Sequence, residues 1–446
     1  MPVDLLLNNG TIVTPKKEHK ASIAVDEGKI IKIGPTSSMP KAEKVLDLSG
    51  LHILPGFIDA HVHFRDPGMT YKEDFKTGTS AAAAGGITTV FDMPNTLPLV
   101  STEKILLEKA SYLKDKAYVD FCLYGIIIED NTKELAGMAR AGAIGFKVLL
   151  AEATGGVPRP SNGCILEAFK EIAKLGLTVS AHAEDINITQ YYVDKLKSTT
   201  KEPIAHCKAR PPIAEEEGIQ LLTLLTAEAG NKVHLAHTSC GTELIKEARA
   251  RGVRVTAETC PQYLIFNEND MKTKGAILKT NPPLRNKKLV NELRAAVNEG
   301  IIDTIGSDHA PHLIEEKTKD NIWEAAAGFI GVETLVPAML TLVNQGVIKL
   351  KRLVEMTSEN PAKIFGLYPR KGTIAIGSDA DFTIVDLKMK KTIKADELHS
   401  ENKITPFDGW KAKGMPVYTI VRGEIVAERG DVIEKPNGKY TKRRGS

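Results

Sequence analysis

Three features that would each define a class of protein are missing from this sequence. Its five cysteines include no CxxC pair, which argues against both a cysteine zinc site and a disulfide framework. No stretch approaches about 18 uninterrupted apolar residues, and the start, MPVDLLLNNG, shows no basic segment followed by a long apolar one. We therefore expect a cytoplasmic chain that is neither secreted nor inserted in a membrane.

A charge excess and internal repeats are missing as well. The 59 lysines and arginines nearly cancel the 56 aspartates and glutamates, and the formal charge of +3 gives no reason to expect a nucleic acid as partner. The one basic segment, KYTKRRGS at the end, is typical of a solvated terminus. What is present is a chain of 446 residues, 42% of them hydrophobic, which is enough for one large domain and a smaller one.

The order of β-forming and helix-forming segments divides the chain into three zones. Residues 1–54 and 366–446 both alternate β-formers with glycine turns, which predicts a small β domain built from both termini. Residues 55–365 alternate β-rich runs with helical segments, the pattern of a parallel sheet with crossover helices. Eight runs predict an α/β fold with a (β/α)8 TIM-type barrel: GFIDAHVH, TTVFDMPN, YVDFCLYGII, AIGFKVLL, TVSAHAE, KVHLAHTS, VRVTAE and IDTIGSDHAPH.

Metal-ligand side chains stand at the ends of these runs, where the active site of such a barrel lies. His61 and His63 are two residues apart and share one face of a strand, so they can bind one ion. His182, His237 and Asp308 belong to three other runs and would meet the first pair once the barrel closes. This set of ligands exceeds what one tetrahedral zinc ion needs.

Lys147, in the run AIGFKVLL, allows two interpretations. A buried lysine beside metal ions is costly, and its side chain would then point away to solvent or pair with an acid. Alternatively, CO2 adds to the neutral amine, and the resulting carbamate is an anion whose two oxygens can bridge two cations. Charge alone leaves both open, and the position on the strand favours the carbamate.

Several motifs together resemble the cyclic amidohydrolases of the amidohydrolase superfamily, over nearly the whole chain: DAHVHFRDPG, DMPNT, GFKV, HAE, AHTS, NPPLR and GSDHAPH. HFRDPG and DHAPH resemble the dihydroorotases most closely. The resemblance implies two Zn²⁺ ions per subunit bridged by a carboxylated Lys147, one bound also by His61, His63 and Asp308, the other by His182 and His237. It further implies a substrate site in which Arg65, Asn95 and His312 hold a carboxylate, together with Asn281.

The implied reaction is the reversible cyclisation of N-carbamoyl-L-aspartate to (S)-dihydroorotate and water, a step of pyrimidine synthesis. A hydroxide bridging the two metals attacks the ring, and Asp308 acts as general acid and base. One segment departs from this pattern, since AETCPQYL at residues 257–264 resembles allantoinases and hydantoinases. The alternatives are therefore allantoinase and hydantoinase or dihydropyrimidinase. A non-catalytic scaffold is not expected, because no ligand is missing.

Arg65, together with Asn95 and His312, discriminates between these enzymes, because only an acidic substrate needs a strong anion site. Its alternative role is a surface ion pair with Asp66 or Glu73. We expect a small acidic ureido compound or cyclic amide as partner, while association of the chain with itself or with aspartate transcarbamoylase stays open. We also predict that the glycine- and proline-rich segment 151–163 is a lid, with Thr154 donating a hydrogen bond to the substrate.

Overall fold

The computed structural model describes residues 1–151, 156–433 and 435–443. The strands are β1 Val3–Asn8, β2 Thr11–Val13, β3 Glu18–Lys20, β4 Ser22–Asp26, β5 Lys29–Gly34, β6 Ala42–Asp47, β7 His52–Pro55, β8 Phe57–Val62, β9 Ile87–Asp92, β10 Asp120–Leu123, β11 Gly125–Ile126, β12 Phe146–Leu149, β13 Thr178–His182, β14 Lys232–Leu235, β15 Val255–Thr259, β16 Thr304–Ile305, β17 Phe382–Thr392, β18 Lys411–Val421, β19 Glu424–Glu428 and β20 Asp431–Val432. The α-helices are α1 Phe75–Ala84, α2 Glu103–Leu113, α3 Leu135–Ala141, α4 Asn162–Leu175, α5 Ile186–Lys197, α6 Ile204–Ala209, α7 Pro212–Ala229, α8 Thr242–Ala250, α9 Pro261–Ile265, α10 Met271–Lys274, α11 Lys287–Glu299, α12 Ile314–Lys317, α13 Val332–Asn344, α14 Leu350–Val354 and α15 Asn360–Ile364.

The middle of the chain forms the (β/α)8 barrel that the sequence predicts. Each of the eight predicted runs supplies one parallel strand, except that the third run is divided at Tyr124 into β10 and β11. Hydrogen bonds join β8, β9 and β10 in one row and β11 to β16 in a second. Every residue of β8 and β9 is buried, as expected for parallel strands covered by helices on one face and by the barrel interior on the other.

The loop after β16 closes the barrel against β8. The amide of His63 donates to the carbonyl of His309 over 2.8 Å, and Val62 and His309 form a parallel bridge. Asp59 reinforces this seam, because its Oδ1 accepts from the amide of Ser307 at 3.0 Å. The carboxyl ends of the first and last barrel strands are thereby held side by side.

The described part of the basic C-terminal tail, residues 439–443, packs against the barrel instead of being solvated as the sequence predicts. The amide of Phe121 in β10 donates to the carbonyl of Lys439, and the carbonyl of Phe121 accepts from the amide of Thr441. The Tyr440 hydroxyl donates to the carbonyl of Gly142 at 2.9 Å. The tail therefore satisfies backbone groups of β10 on the edge where this strand has no strand partner.

Strands from both ends of the chain build the smaller β domain. β7 pairs with β17, with Ile53 opposite Ile384, and so joins both termini in a seven-stranded sheet of order β20-β19-β18-β17-β7-β2-β3. A four-stranded sheet of order β5-β4-β1-β6 shares one apolar core with it. Within the described ranges, no helix has both the length and the apolar character needed to cross a membrane.

A buried ionic cluster connects the β domain to the barrel. Lys371 Nζ lies 2.6 Å from Asp381 Oδ2 and 2.6 Å from Oδ2 of Asp120, the first residue of β10. Asp379 Oδ2 lies 3.3 Å from the same ammonium. The ammonium of Lys371 lies among the three carboxylates of Asp120, Asp379 and Asp381 and balances part of their charge, so this acidic group does not need a metal ion as its cation.

Candidate active site

The predicted site residues converge on one cavity at the carboxyl ends of the barrel strands. Nine of the ten line it, and His312 does not. The lining consists of His61, His63, Arg65, Asn95, Lys147, Leu149, His182, His237, Thr280, Asn281, Asp308, Ala310, Ala327 and Gly328. Thr154, predicted to contact the substrate, lies outside the described residues.

Three side chains at the closing seam of the barrel could hold one cation. The Nε2 atoms of His61 and His63 each lie 3.4 Å from Asp308 Oδ1. These three donor atoms all lie within 4.8 Å of one another. Two imidazole nitrogens and a carboxylate oxygen at such separations fit the ligand preferences of zinc and similar ions.

Two further histidines face each other beside this group. His182 Nδ1 and His237 Nε2 are 2.9 Å apart. Burial, together with His182 and Lys147 nearby, holds the pKa of His237 well below its ordinary value, so its ring is neutral and offers a lone pair. The donor chemistry therefore fits a second cation as well as the first.

Hydrogen bonds at the outer ring nitrogens orient the first two histidines. His61 Nδ1 lies 2.7 Å from Glu258 Oε1, and His63 Nδ1 lies 2.7 Å from Asn95 Oδ1. Because both partners are oxygen acceptors, each Nδ1 carries the proton and each Nε2 presents its lone pair to Asp308. Asn95 thus uses its amide oxygen on a metal-type ligand, besides lining the cavity.

Glu184 orients His182 through a ring nitrogen, as Glu258 orients His61. Its Oε2 lies 3.0 Å from His182 Nε2 and 2.7 Å from Arg210 NH1. Burial raises the pKa of Glu184, but Arg210 and His182 outweigh this and hold the pKa well below its ordinary value. The sequence interpretation missed Glu184 and Glu258 as positioning acids. Glu258 ends the seventh β run, so the strand-end argument that identified Asp308 could have found it.

Lys147 stays inside the cavity. Its side chain is 2% exposed, and its Nζ lies 3.5 Å from His61 Nε2. Burial lowers the pKa of Lys147 to about 8, although Asp308 and Glu258 act in the opposite direction. Neither solvent exposure nor an ion pair within the described residues explains this lysine. Its amine is neutral more often than that of a surface lysine, as addition of CO2 requires.

The backbone of three site residues adopts the left-handed conformation that non-glycine residues rarely populate. Arg65, His237 and Asp308 have φ of 60°, 39° and 50°. Such conformations persist where the surroundings fix them, which is common at functional sites. For Asp308, the next residue supplies part of this support: His309 Nδ1 accepts from the amide of Gly331 at 3.1 Å.

Arg65 brings a poorly compensated cation to the cavity wall. Its side chain is 2% exposed, its Nε makes a 3.4 Å bond to the carbonyl of Pro311, and its NH1 has no hydrogen-bond partner among the described residues. Burial lowers the pKa of Arg65 to about 10, although the nearby carboxylates of Asp308, Asp92 and Glu316 act in the opposite direction, so the guanidinium remains charged at neutral pH. The carboxylates that sequence reasoning offered as partners are engaged elsewhere, Asp66 with Lys116 and Glu73 with Thr77.

His312 stands next to this wall without lining the cavity. Its Nε2 lies 3.1 Å from the carbonyl of Ala327, which does line it. Its Nδ1 lies 3.2 Å from Lys72 Nζ and 3.3 Å from Glu316 Oε2. Both ring nitrogens thus already have protein partners.

Relatives with different names match the whole chain. The family model described as Amidohydrolase family matches residues 52–426. The chain is 38% identical to an L-hydantoinase of Paenarthrobacter aurescens, over 99% of this chain and 98% of the relative. It is 38% identical to a dihydroorotase of Methanothermobacter thermautotrophicus (98% and 97%) and 35% identical to an allantoinase of Solibacter usitatus (98% and 96%).

Solved structures of hydantoinases share the fold closely. The L-hydantoinase (dihydropyrimidinase) from Arthrobacter aurescens superposes with a TM-score of 0.97 at 38% identity, covering 99% of this chain and 100% of that one. A D-hydantoinase superposes with a TM-score of 0.93 at 30% identity, covering 99% of both chains. Whole-chain similarity therefore supports a hydantoinase or dihydropyrimidinase better than a dihydroorotase, and the side chains around the cavity bear on the substrate separately.

Proposed function

This chain belongs to the Amidohydrolase family and is a metal-dependent cyclic amidohydrolase, and we propose that its substrate is an acidic ring, as in the dihydroorotase reaction. The observation that carries the proposal is Arg65. A buried guanidinium with no carboxylate in ion-pair contact among the described residues is costly, and the cost is offset when an anion binds beside it. A ring carboxylate is such an anion, whereas hydantoin and dihydrouracil have none.

Lys147, as a carbamate, would complete the metal centre of this enzyme. The neutral amine attacks CO2, an N–C bond forms, and the amine proton leaves to water, which gives a carboxylated lysine with two anionic oxygens. His61, His63 and Asp308 would hold one cation with it, and His182 and His237 the other. We propose Zn²⁺ for both, since histidine nitrogens and carboxylate oxygens suit it. When bound, such cations polarise the ring carbonyl and lower the pKa of a bound water.

We propose Asp308 as the group that moves the proton. Its Oδ1 lies 3.4 Å from Nε2 of each of the two histidines of the first group, and its backbone is left-handed. In ring opening it takes the proton of the attacking water and gives it to the departing ring nitrogen, and in ring closure it runs the same transfer backwards. Arg65 meanwhile holds a group that does not react, so its binding energy positions the ring.

Hydantoinase or dihydropyrimidinase is the second candidate, and the comparisons support it better than a dihydroorotase, because the L-hydantoinase matches at 38% identity and the solved relatives described above are hydantoinases. The segment AETCPQYL resembles hydantoinases in sequence, but its position in the structure gives little support to a hydantoinase substrate. Glu258 of that segment contacts His61, and no residue of 257–264 lines the cavity. The segment thus supports the metal ligands, which both enzymes need, and not the ring.

A substrate panel tests the choice. The metal-loaded enzyme is assayed for ring opening of dihydroorotate, dihydrouracil, hydantoin and allantoin under one set of conditions. We expect kcat/KM for dihydroorotate to exceed that for dihydrouracil by about tenfold or more, the value of one charge-assisted contact. A larger kcat/KM for hydantoin or dihydrouracil would support the second candidate, and preference for allantoin would refute both.

A further inference from the structure

Lys72, in the loop between β8 and α1, is a buried lysine that the mechanism above does not use. Its side chain is 8% exposed. Its Nζ lies 2.8 Å from Glu316 Oε1 and 3.2 Å from His312 Nδ1. A lysine ammonium has three N–H donors and no acceptor, so whatever it contacts must offer a lone pair.

This contact restricts where the proton of His312 can be. Nδ1 must be bare to accept from Lys72, and Nε2 must carry the proton to donate to the carbonyl of Ala327 at 3.1 Å. Glu316 Oε2 also lies 3.3 Å from Nδ1, but it is satisfied by the amide of Leu313 at 3.0 Å. Only the neutral ring protonated at Nε2 is compatible with the bonds to both Lys72 and Ala327.

The charges around His312 keep the ring neutral. The cations that act on it are Arg65, Lys72 and Lys317, and the carboxylate that contacts it, Glu316, is paired with Lys72. A second proton on the ring would add a further cation to this group. We propose that Lys72 is a positioning residue that fixes the proton of His312 on Nε2 and thereby turns the N–H dipole of this ring toward the cavity wall beside Arg65.

The consequence concerns acidic substrates, and to that extent it rests on the proposed function. Ala327 lines the cavity and His312 does not, so the Nε2–H bonded to the Ala327 carbonyl lies behind this wall and acts on a substrate carboxylate through its dipole. Without Lys72, Nδ1 can donate to Glu316 Oε2, and Nε2 is then a bare lone pair. That lone pair repels both the carbonyl of Ala327 and a carboxylate.

Nitrogen NMR of the metal-loaded, substrate-free enzyme tests the proton position directly. The protein is labelled with ¹⁵N-histidine, and the His312 signals are identified by their loss in His312→Gln. We expect a protonated Nε2 and a bare Nδ1 in the wild type, in Lys72→Arg, which keeps a donor, and in the control Lys76→Met, an exposed lysine of α1. In Lys72→Met the proton should move to Nδ1. A wild type protonated at Nδ1, or a Lys72→Met spectrum like the wild type, overturns the proposal.

Kinetics separate positioning from general stability. Lys72→Met should raise KM for dihydroorotate by about tenfold, with kcat changed less than about threefold and KM for dihydrouracil unchanged. Glu316→Gln keeps the ammonium at Nδ1 and serves as a second variant, expected to retain the Nε2 proton. An equal rise in KM for both substrates overturns the role of Lys72. A wild type that prefers neutral rings refutes the proposed function alone, because the NMR result does not depend on substrate.

Discussion

Replacing Arg65 by methionine removes a guanidinium from the cavity wall and keeps a long unbranched side chain in its place. In the free enzyme the loss is small, because the guanidinium makes a 3.4 Å bond to the carbonyl of Pro311 and its NH1 has no described partner. In the complex the loss is large, because the substrate carboxylate is then buried without its counter-charge. The variant therefore separates binding of an acidic ring from the stability of the protein.

The substitution has opposite effects on catalysis and on the stability of the folded chain. A charge-assisted bond to a carboxylate contributes about 1.5–3 kcal/mol, so kcat/KM for dihydroorotate should fall by about 10- to 100-fold. Burial lowers the pKa of Arg65 to about 10, which corresponds to a cost of roughly 3 kcal/mol for the charged form in the folded chain. The pKa of Arg65 is lower in the folded chain than in the unfolded chain. The cost is therefore fully present at every pH below about 10, where the guanidinium is charged in both states. The variant should unfold at a temperature no lower than the wild type.

Steady-state ring opening of dihydroorotate and dihydrouracil, metal content per chain and the unfolding temperature are measured together. Turnover of dihydrouracil and both metals should be unaffected. Arg254→Met is the matched control, because this exposed arginine precedes β15 at the opposite end of the barrel. If Arg65→Met turns over dihydroorotate normally, or loses both substrates equally, Arg65 does not select an acidic ring.

The remaining predictions concern the metal centre and the domain contact. Lys147→Ala should lose most activity and regain part of it with added short-chain carboxylates, and a fully active variant would refute the carbamate. Glu258→Gln removes the anionic acceptor of His61 and should weaken metal binding by about 10- to 100-fold, measured by chelator competition, with unchanged affinity as the contrary result. Lys371→Met leaves buried carboxylates unpaired and should lower the free energy of unfolding by about 3–5 kcal/mol in denaturant titrations, while the metal-loaded kcat stays constant.

Local sequence was sufficient to predict much of the fold and most of the candidate metal ligands. Eight β-rich runs separated by helical segments predict a barrel, and a barrel places the carboxyl ends of all its strands on one face. His61, His182 and Asp308 could therefore be grouped without coordinates, because the position of each on its own strand is enough. The same reasoning applied to Glu258 would have added a positioning acid, so that omission was not a limit of the sequence.

Partner choice among charged side chains was decided only by the tertiary structure. Arg65 has Asp66 and Glu73 nearby in sequence, yet Asp66 pairs with Lys116, and Arg65 is left facing the cavity. Lys371 pairs with Asp120 across 251 positions of sequence. An ion pair forms where two charges meet within a few ångström, and sequence spacing says nothing about distance once loops from different strands interleave. The candidate metal ligands could be grouped from sequence because strand geometry fixes their positions, whereas the surroundings of Arg65 depend on which loop charges fold together.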